Sequence, residues 1–137
     1  MTAAGIQAAG LPAPESLVST TIVTGAGAGR REAAIAAALH EAAPTDAGAT
    51  AVILEGLPDG TLLLEASPTL LLARIAPGCL CCAGNLVMRV TLNRLLRQRP
   101  KRLFIGLASG EHSGQLRSWL SSAPYDQLLS LTPDRHT

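Results

Sequence analysis

Apolar and polar positions alternate along the chain in a way that predicts a regular series of elements. LVSTTIVTG is β-branched and apolar and predicts a strand over about Leu17 to Thr24. GAGAGR follows as a tight glycine turn. REAAIAAALHEAA has strong helical propensity, with Ile35, Ala38, Leu39 and Ala42 on one stripe and Pro44 to end it. ATAVILEG predicts a second strand. After the LPDG turn, TLLLEAS and TLLLARIAPG each carry strand character, either paired as a hairpin across Ser-Pro or in part irregular. Ala83 to Gln98 predicts a helix with Met88, Leu92, Leu95 and Leu96 on one face and Arg89, Asn93 and Arg97 on another. RPKR breaks it. RLFIGLA is the near-continuous apolar run of a parallel strand covered on both faces. Past SGEHSG, QLRSWLSS predicts a short helix, and YDQLLSL a short helix or a strand.

Strand, helix, strands, helix, strand, helix is the order of an α/β fold: a single domain with a mainly parallel sheet, flanking helices and right-handed crossovers. Ligands of such sheets bind beyond the carboxyl ends of the strands, where the glycine turn, SGEHSG and the segment after TLLLARI are expected. The length of 137 residues suits one domain. Residues 1–17, rich in Ala, Gly and Pro, read as a flexible arm, 18–131 as the domain, and 132–137 as a frayed tail. The incomplete sheet is expected to leave an open edge, which invites a second copy or a protein partner.

Composition narrows the picture. At 47% hydrophobic and 15% charged the chain is not disordered, and with Phe104, Trp119 and Tyr125 as its only aromatics the core is aliphatic. Residues 1–73 carry two Arg and seven acidic residues, whereas 74–137 carry nine Lys or Arg and three acidic residues. The basic excess is densest from Arg89 to Arg102. It reads either as a solvated helix face or as a surface for an anion or a scaffold partner. Without interleaved aromatics a stacking platform for nucleic acid is not expected. MTAAGIQAAGLPAPES has neither a basic nor an apolar leader region, and no apolar run reaches membrane-spanning length, so a cytoplasmic protein with reduced thiols is expected.

Candidate chemistry is concentrated in GCLCC. Cys79, Cys81 and Cys82 are all the cysteines of the chain. An odd count argues against a disulfide framework, and adjacent cysteines make a poor pair. Thiolates are soft ligands for zinc, and Cys82 opens a helix, where a thiolate is favoured. Three thiolates leave a tetrahedral zinc one ligand short. Water, a histidine or a residue of a partner fits the vacancy. His112, in a loop, is preferred over His40, with Glu111 a harder alternative. The plain alternative is packing, since cysteine is also a small buried hydrophobe.

The glycine turn has a phosphate loop's context of strand, glycines and helix, but not its spacing. Gly25, Gly27 and Gly29 fit neither GxxxxGK[ST] nor GxGxxG. Arg30 stands at the lysine position and Arg31 at the Mg²⁺-binding hydroxyl position, with Glu32 at the helix start. The chain shows no hydrolytic triad and no paired carboxylates.

IVTGAGAGRREA, APGCLCCAGNLVMRVTLNRLL and RPKRLFIGLASGEHSGQL, in that order, resemble the N-terminal half of the CobW-like family of P-loop GTPases and metallochaperones over about residues 20–120. The resemblance implies a P-loop NTPase-like half, zinc or a related metal on Cys79, Cys81 and Cys82, and a nucleotide loop at Gly25, Gly27, Gly29 and Arg30. Glu111, His112, Ser113 and Gly114 echo the family's E-x-SG segment. With no lysine, no hydroxyl at position 31 and no NKxD string, it implies a degenerate and truncated relative. The expected function is therefore a non-catalytic, zinc-binding accessory protein. The alternatives are a residual GTP- or ATP-binding protein, or a scaffold with a basic helix face.

Overall fold

The computed structural model describes residues 17–25, 27–41, 48–56, 64–75, 86–108 and 113–137. These form strands β1 (Val18–Thr24), β2 (Thr50–Glu55), β3 (Leu70–Ile75), β4 (Arg102–Leu107), β5 (Leu129–Leu131) and β6 (Arg135–His136). Among them run helices α1 (Ala28–His40), α2 (Leu86–Leu96) and α3 (Ser113–Leu120), with a 3₁₀ turn at Tyr125–Gln127. The strands make one sheet in the order β3-β2-β4-β1-β5, with β6 paired to β1, and every strand pair is parallel. The fold is α/β, as the apolar pattern predicted.

β4 decides the arrangement. It bonds to β1 on one side and β2 on the other, and residues 103–107 are all buried. Alternate side chains feed two cores. Leu103, Ile105 and Leu107 join Ile22, Ile53, Met88, Leu92, Leu95, Leu116 and Leu120. Phe104 joins Val23, Val52, Leu54, Ile35 and Ala38. The register puts Ile22, Ile105, Ile53 and Ala73 in one row across four strands. The crossover from β1 to β2 runs towards β3, whereas those from β3 to β4 and from β4 to β5 run the other way. Crossovers of one hand in opposite directions put α1 on one face and α2 and α3 on the other. The carboxyl ends of β1 and β4 are therefore the place where the winding reverses.

Three local expectations are refined. Across Ser-Pro the described residues make a single antiparallel bridge, Ser67 to Leu70, and residues 64–66 are not in a strand, while residues 61–63 of TLLLEAS lie outside the described residues. β3 takes the free side of β2 over six parallel pairs. YDQLLSL is both things in turn, a 3₁₀ turn and then β5. The segment expected to fray is tied down: Thr132 N–H donates to Thr20 O (2.8 Å), Thr137 N–H to Thr24 O (2.8 Å), and Asp134 pairs with Arg117 (2.7 Å). TPDRHT has no apolar pattern to announce this, because what holds it is free backbone of β1 beyond β5. Among the described residues β3 has no strand on its outer side. No described helix is long and apolar enough to cross a membrane.

Tyr125 closes the base of the larger core. Its ring meets Trp119 edge-on (centroids 5.0 Å apart), and its hydroxyl donates to Asn93 Oδ1 (2.7 Å). Burial raises its pKa above the ordinary 10.0, while Arg89 and the Asn93 contact pull the other way.

Two outcomes are expected. Ile105→Ala, in the middle of the sheet, should cost about 3 kcal/mol in urea unfolding. Because folding raises the Tyr125 pKa, the folded chain holds the phenolic proton more tightly. Stability is then intact below pH 10 and falls as pH rises through the folded value. Tyr125→Phe should flatten that alkaline decline in the thermal midpoint.

Candidate functional site

Four loops leave the sheet at its carboxyl edge, after β1, β2, β3 and β4. The glycine turn is the one whose geometry is most fully drawn. Gly25 has φ of 156°, and a Cβ there would stand 1.9 Å from Thr137 Oγ1, so only glycine fits beneath the terminal segment. Gly27 caps α1 in an extended conformation, its carbonyl accepting from Arg31 N–H at 3.1 Å, with no side-chain cap. Gly29 lies in the first turn of α1, and Arg30 is exposed.

Arg31 turns the other way. Only 3% exposed, it donates from Nη1 to Gly25 O and from Nη2 to Glu55 O (3.1 Å). Glu55, itself buried, accepts Ala108 N–H on Oε1 at 2.8 Å. One guanidinium and one carboxylate thus tie together the residue after β1, the end of β2 and the residue after β4. Gly106 lies close against Leu54 of the neighbouring strand. A Cβ at Gly106 would lie 3.0 Å from Leu54 Cδ2 and 3.9 Å from Arg31 Nε.

Glu32 also points inward. It accepts both ends of the Arg74 guanidinium, at 3.2 and 3.3 Å. α1 begins at Ala28, so Glu32 is in the second turn rather than at the helix start, and its charge is matched across to β3. It does not face an anion at the turn as a first-turn carboxylate would. Sequence reasoning placed neither Arg31 nor Glu32 indoors. The signal was there for Arg31: it precedes Ile35 by four and Ala38 by seven, on the same apolar stripe.

Cys79, Cys81, Cys82, Glu111 and His112 lie outside the described residues. Their flanks are described. Ile75 and Leu86 bracket the cysteine segment, Ala108 and Ser113 bracket the His112 segment, and β2 alone separates β3 from β4. The carboxyl ends of β3 and β4 are therefore about 10 Å apart on one edge. Among the described residues no three His, Cys, Asp or Glu gather in a way that could hold a metal. His40 ends α1, about 18 Å along the helix from its start, and so lies towards the amino edge, away from these loops. His136, by contrast, is at the carboxyl edge, with Nδ1 on the Thr24 hydroxyl.

In sequence the chain is similar to the zinc chaperone YeiR of Escherichia coli (strain K12), 39% identical over 74 residues. The match takes in 53% of this chain and 22% of that protein, so the chain spans about a fifth of the length of the curated relative. No family profile and no solved structure matches it.

Arg31→Met keeps the buried stem and removes the guanidinium, and with it the bonds to Gly25 O and Glu55 O. It should cost about 2 kcal/mol in urea unfolding and speed amide exchange at Gly25 and Gly56. Arg31→Lys should recover only part of this, because a compact ammonium cannot reproduce the planar fork.

Proposed function

We propose that the chain is a CobW-like, non-catalytic metal-binding accessory protein that takes zinc as cargo on Cys79, Cys81 and Cys82, with His112 as the fourth donor. The observation that carries this reading is the 39% identity to a protein named a zinc chaperone, in a chain whose only cysteines form a CxCC segment. The donor set fits the metal: zinc is borderline-soft and prefers four sulfur and nitrogen ligands in a tetrahedron. The fold supports it too, since the strands that precede the cysteine and His112 segments end on one edge with a single strand between them.

Phosphoryl transfer is left out of the proposal. It needs a lysine and a hydroxyl-held Mg²⁺ at the phosphate loop. Here position 31 carries a guanidinium already bonded to Gly25 and Glu55, and Thr137 stands over Gly25. What remains at the mouth of the turn is Arg30 and the first amides of α1, which supports a vestigial loop better than a working one.

Reduced protein should bind one zinc per chain at micromolar metal. Cys79→Ser should weaken that binding by at least about tenfold, because thiolates dominate the affinity of such sites. His112→Ala should have a smaller effect, water taking the fourth place. A chain that stays metal-free, or a stoichiometry and affinity untouched by Cys79→Ser, removes the reading.

A further inference from the structure

α2 has an inner and an outer face, and the outer one is not what a solvated helix presents. Met88, Thr91, Leu92 and Leu95 are buried against the sheet. Opposite them, Leu86 is 56% exposed, Val87 39% and Val90 57%, and these are the exposed large hydrophobic residues among the described ones. Helical spacing puts Leu86, Val90, Asn93, Arg94 and Arg97 along one line, with Val87 and Arg89 to its sides. The amino half of that line is apolar and the carboxyl half cationic. α2 has no acidic residue at all, and Arg89, Arg94 and Arg97 are exposed.

A face of this kind costs the isolated chain something in solubility, and clustered exposed aliphatics mark interaction surfaces when they are contiguous. Which partner it fits follows from its charge. We propose that the outer face of α2 docks an acidic segment of another protein, with the partner's aliphatic side chains on Leu86, Val87 and Val90 and its carboxylates on Arg89, Arg94 and Arg97. Nucleic acid suits the arginines but not the aliphatic half, which offers no aromatic platform for bases. An apolar helix without acids leaves the arginines unused. The charge pattern steers encounter and the aliphatic cluster supplies the contact that persists. The inference does not depend on zinc, because every residue it uses is on α2 or one position beyond it.

The probe is a synthetic amphipathic helix with leucines along one face and glutamates flanking them. Its counterpart carries lysines in place of the glutamates, and both are titrated against full-length chain with and without a metal chelator. The glutamate peptide is expected to bind, to weaken with added salt, and to lose at least about tenfold in affinity both with Val90→Asp and with Arg94→Glu. Val90 is exposed, so the first variant should fold, as far-ultraviolet circular dichroism would check, and the second leaves the aliphatic cluster intact. The proposal is overturned if neither peptide binds, if the lysine peptide binds as well, or if Val90→Asp has no effect. Tighter binding of a DNA duplex would also overturn it, as would self-association that Val90→Asp abolishes, which would assign the face to a second copy.

Discussion

A strand that is dry on both faces needs a neighbouring strand on each side and a cover above and below. β4, the middle strand, meets that demand from Leu103 to Leu107, and β1 and β2 share it on either side. β1 and β2 satisfy its backbone on either side, α1 covers Phe104, and α2 and α3 cover Leu103, Ile105 and Leu107. Because β4 comes after three strands in the sequence but sits between the first two in space, the chain has to wind one way and then back. That reversal falls at the carboxyl ends of β1 and β4.

At that edge polar groups are indoors, and they are tolerated because most of their polar atoms have a fixed partner, Arg31 Nε being the exception there among the described residues. Arg31 has two carbonyls, Glu32 has a two-pronged guanidinium, and Glu55 has a backbone amide. Buried charge is tolerated on these terms and costly on others. The result is a bonded rim where β2, β3 and β4 come to their carboxyl ends. Function and packing meet here: the residue that departs most from a phosphate-binding motif, Arg31, is also the one that fastens the rim.

How far the sequence disclosed this varied with the physics. Long apolar runs gave β1, β2 and β4 and their parallel character, since burial on two faces leaves an unmistakable pattern. β3 was less plain, because TLLLEAS and TLLLARI look alike in composition, and it is pairing with β2 that marks Leu70–Ile75 as a strand. The terminal segment was misread as loose, since backbone hydrogen bonds to β1 leave no mark on side-chain pattern. Motif spacing sets Arg31 at a hydroxyl position and Glu32 at the helix start and says nothing of their burial, whereas their spacing to Ile35 points inward. Gly25 and Gly27 lie between β1 and α1, and Gly29 and Arg30 in the first turn of α1. The exposed aliphatic half of α2 escaped notice because Leu and Val suggest interior.

The close approach at Gly106 limits what β4 can carry. A Cβ there would meet Leu54 Cδ2 at 3.0 Å, closer than side chains ordinarily pack, whereas Ile35 and Arg31 would stand at ordinary contact distances of 3.8 and 3.9 Å. A side chain at 106 would therefore have to displace a leucine of the neighbouring strand before it disturbed α1, so the bare spot in mid-strand belongs to the seam between β2 and β4.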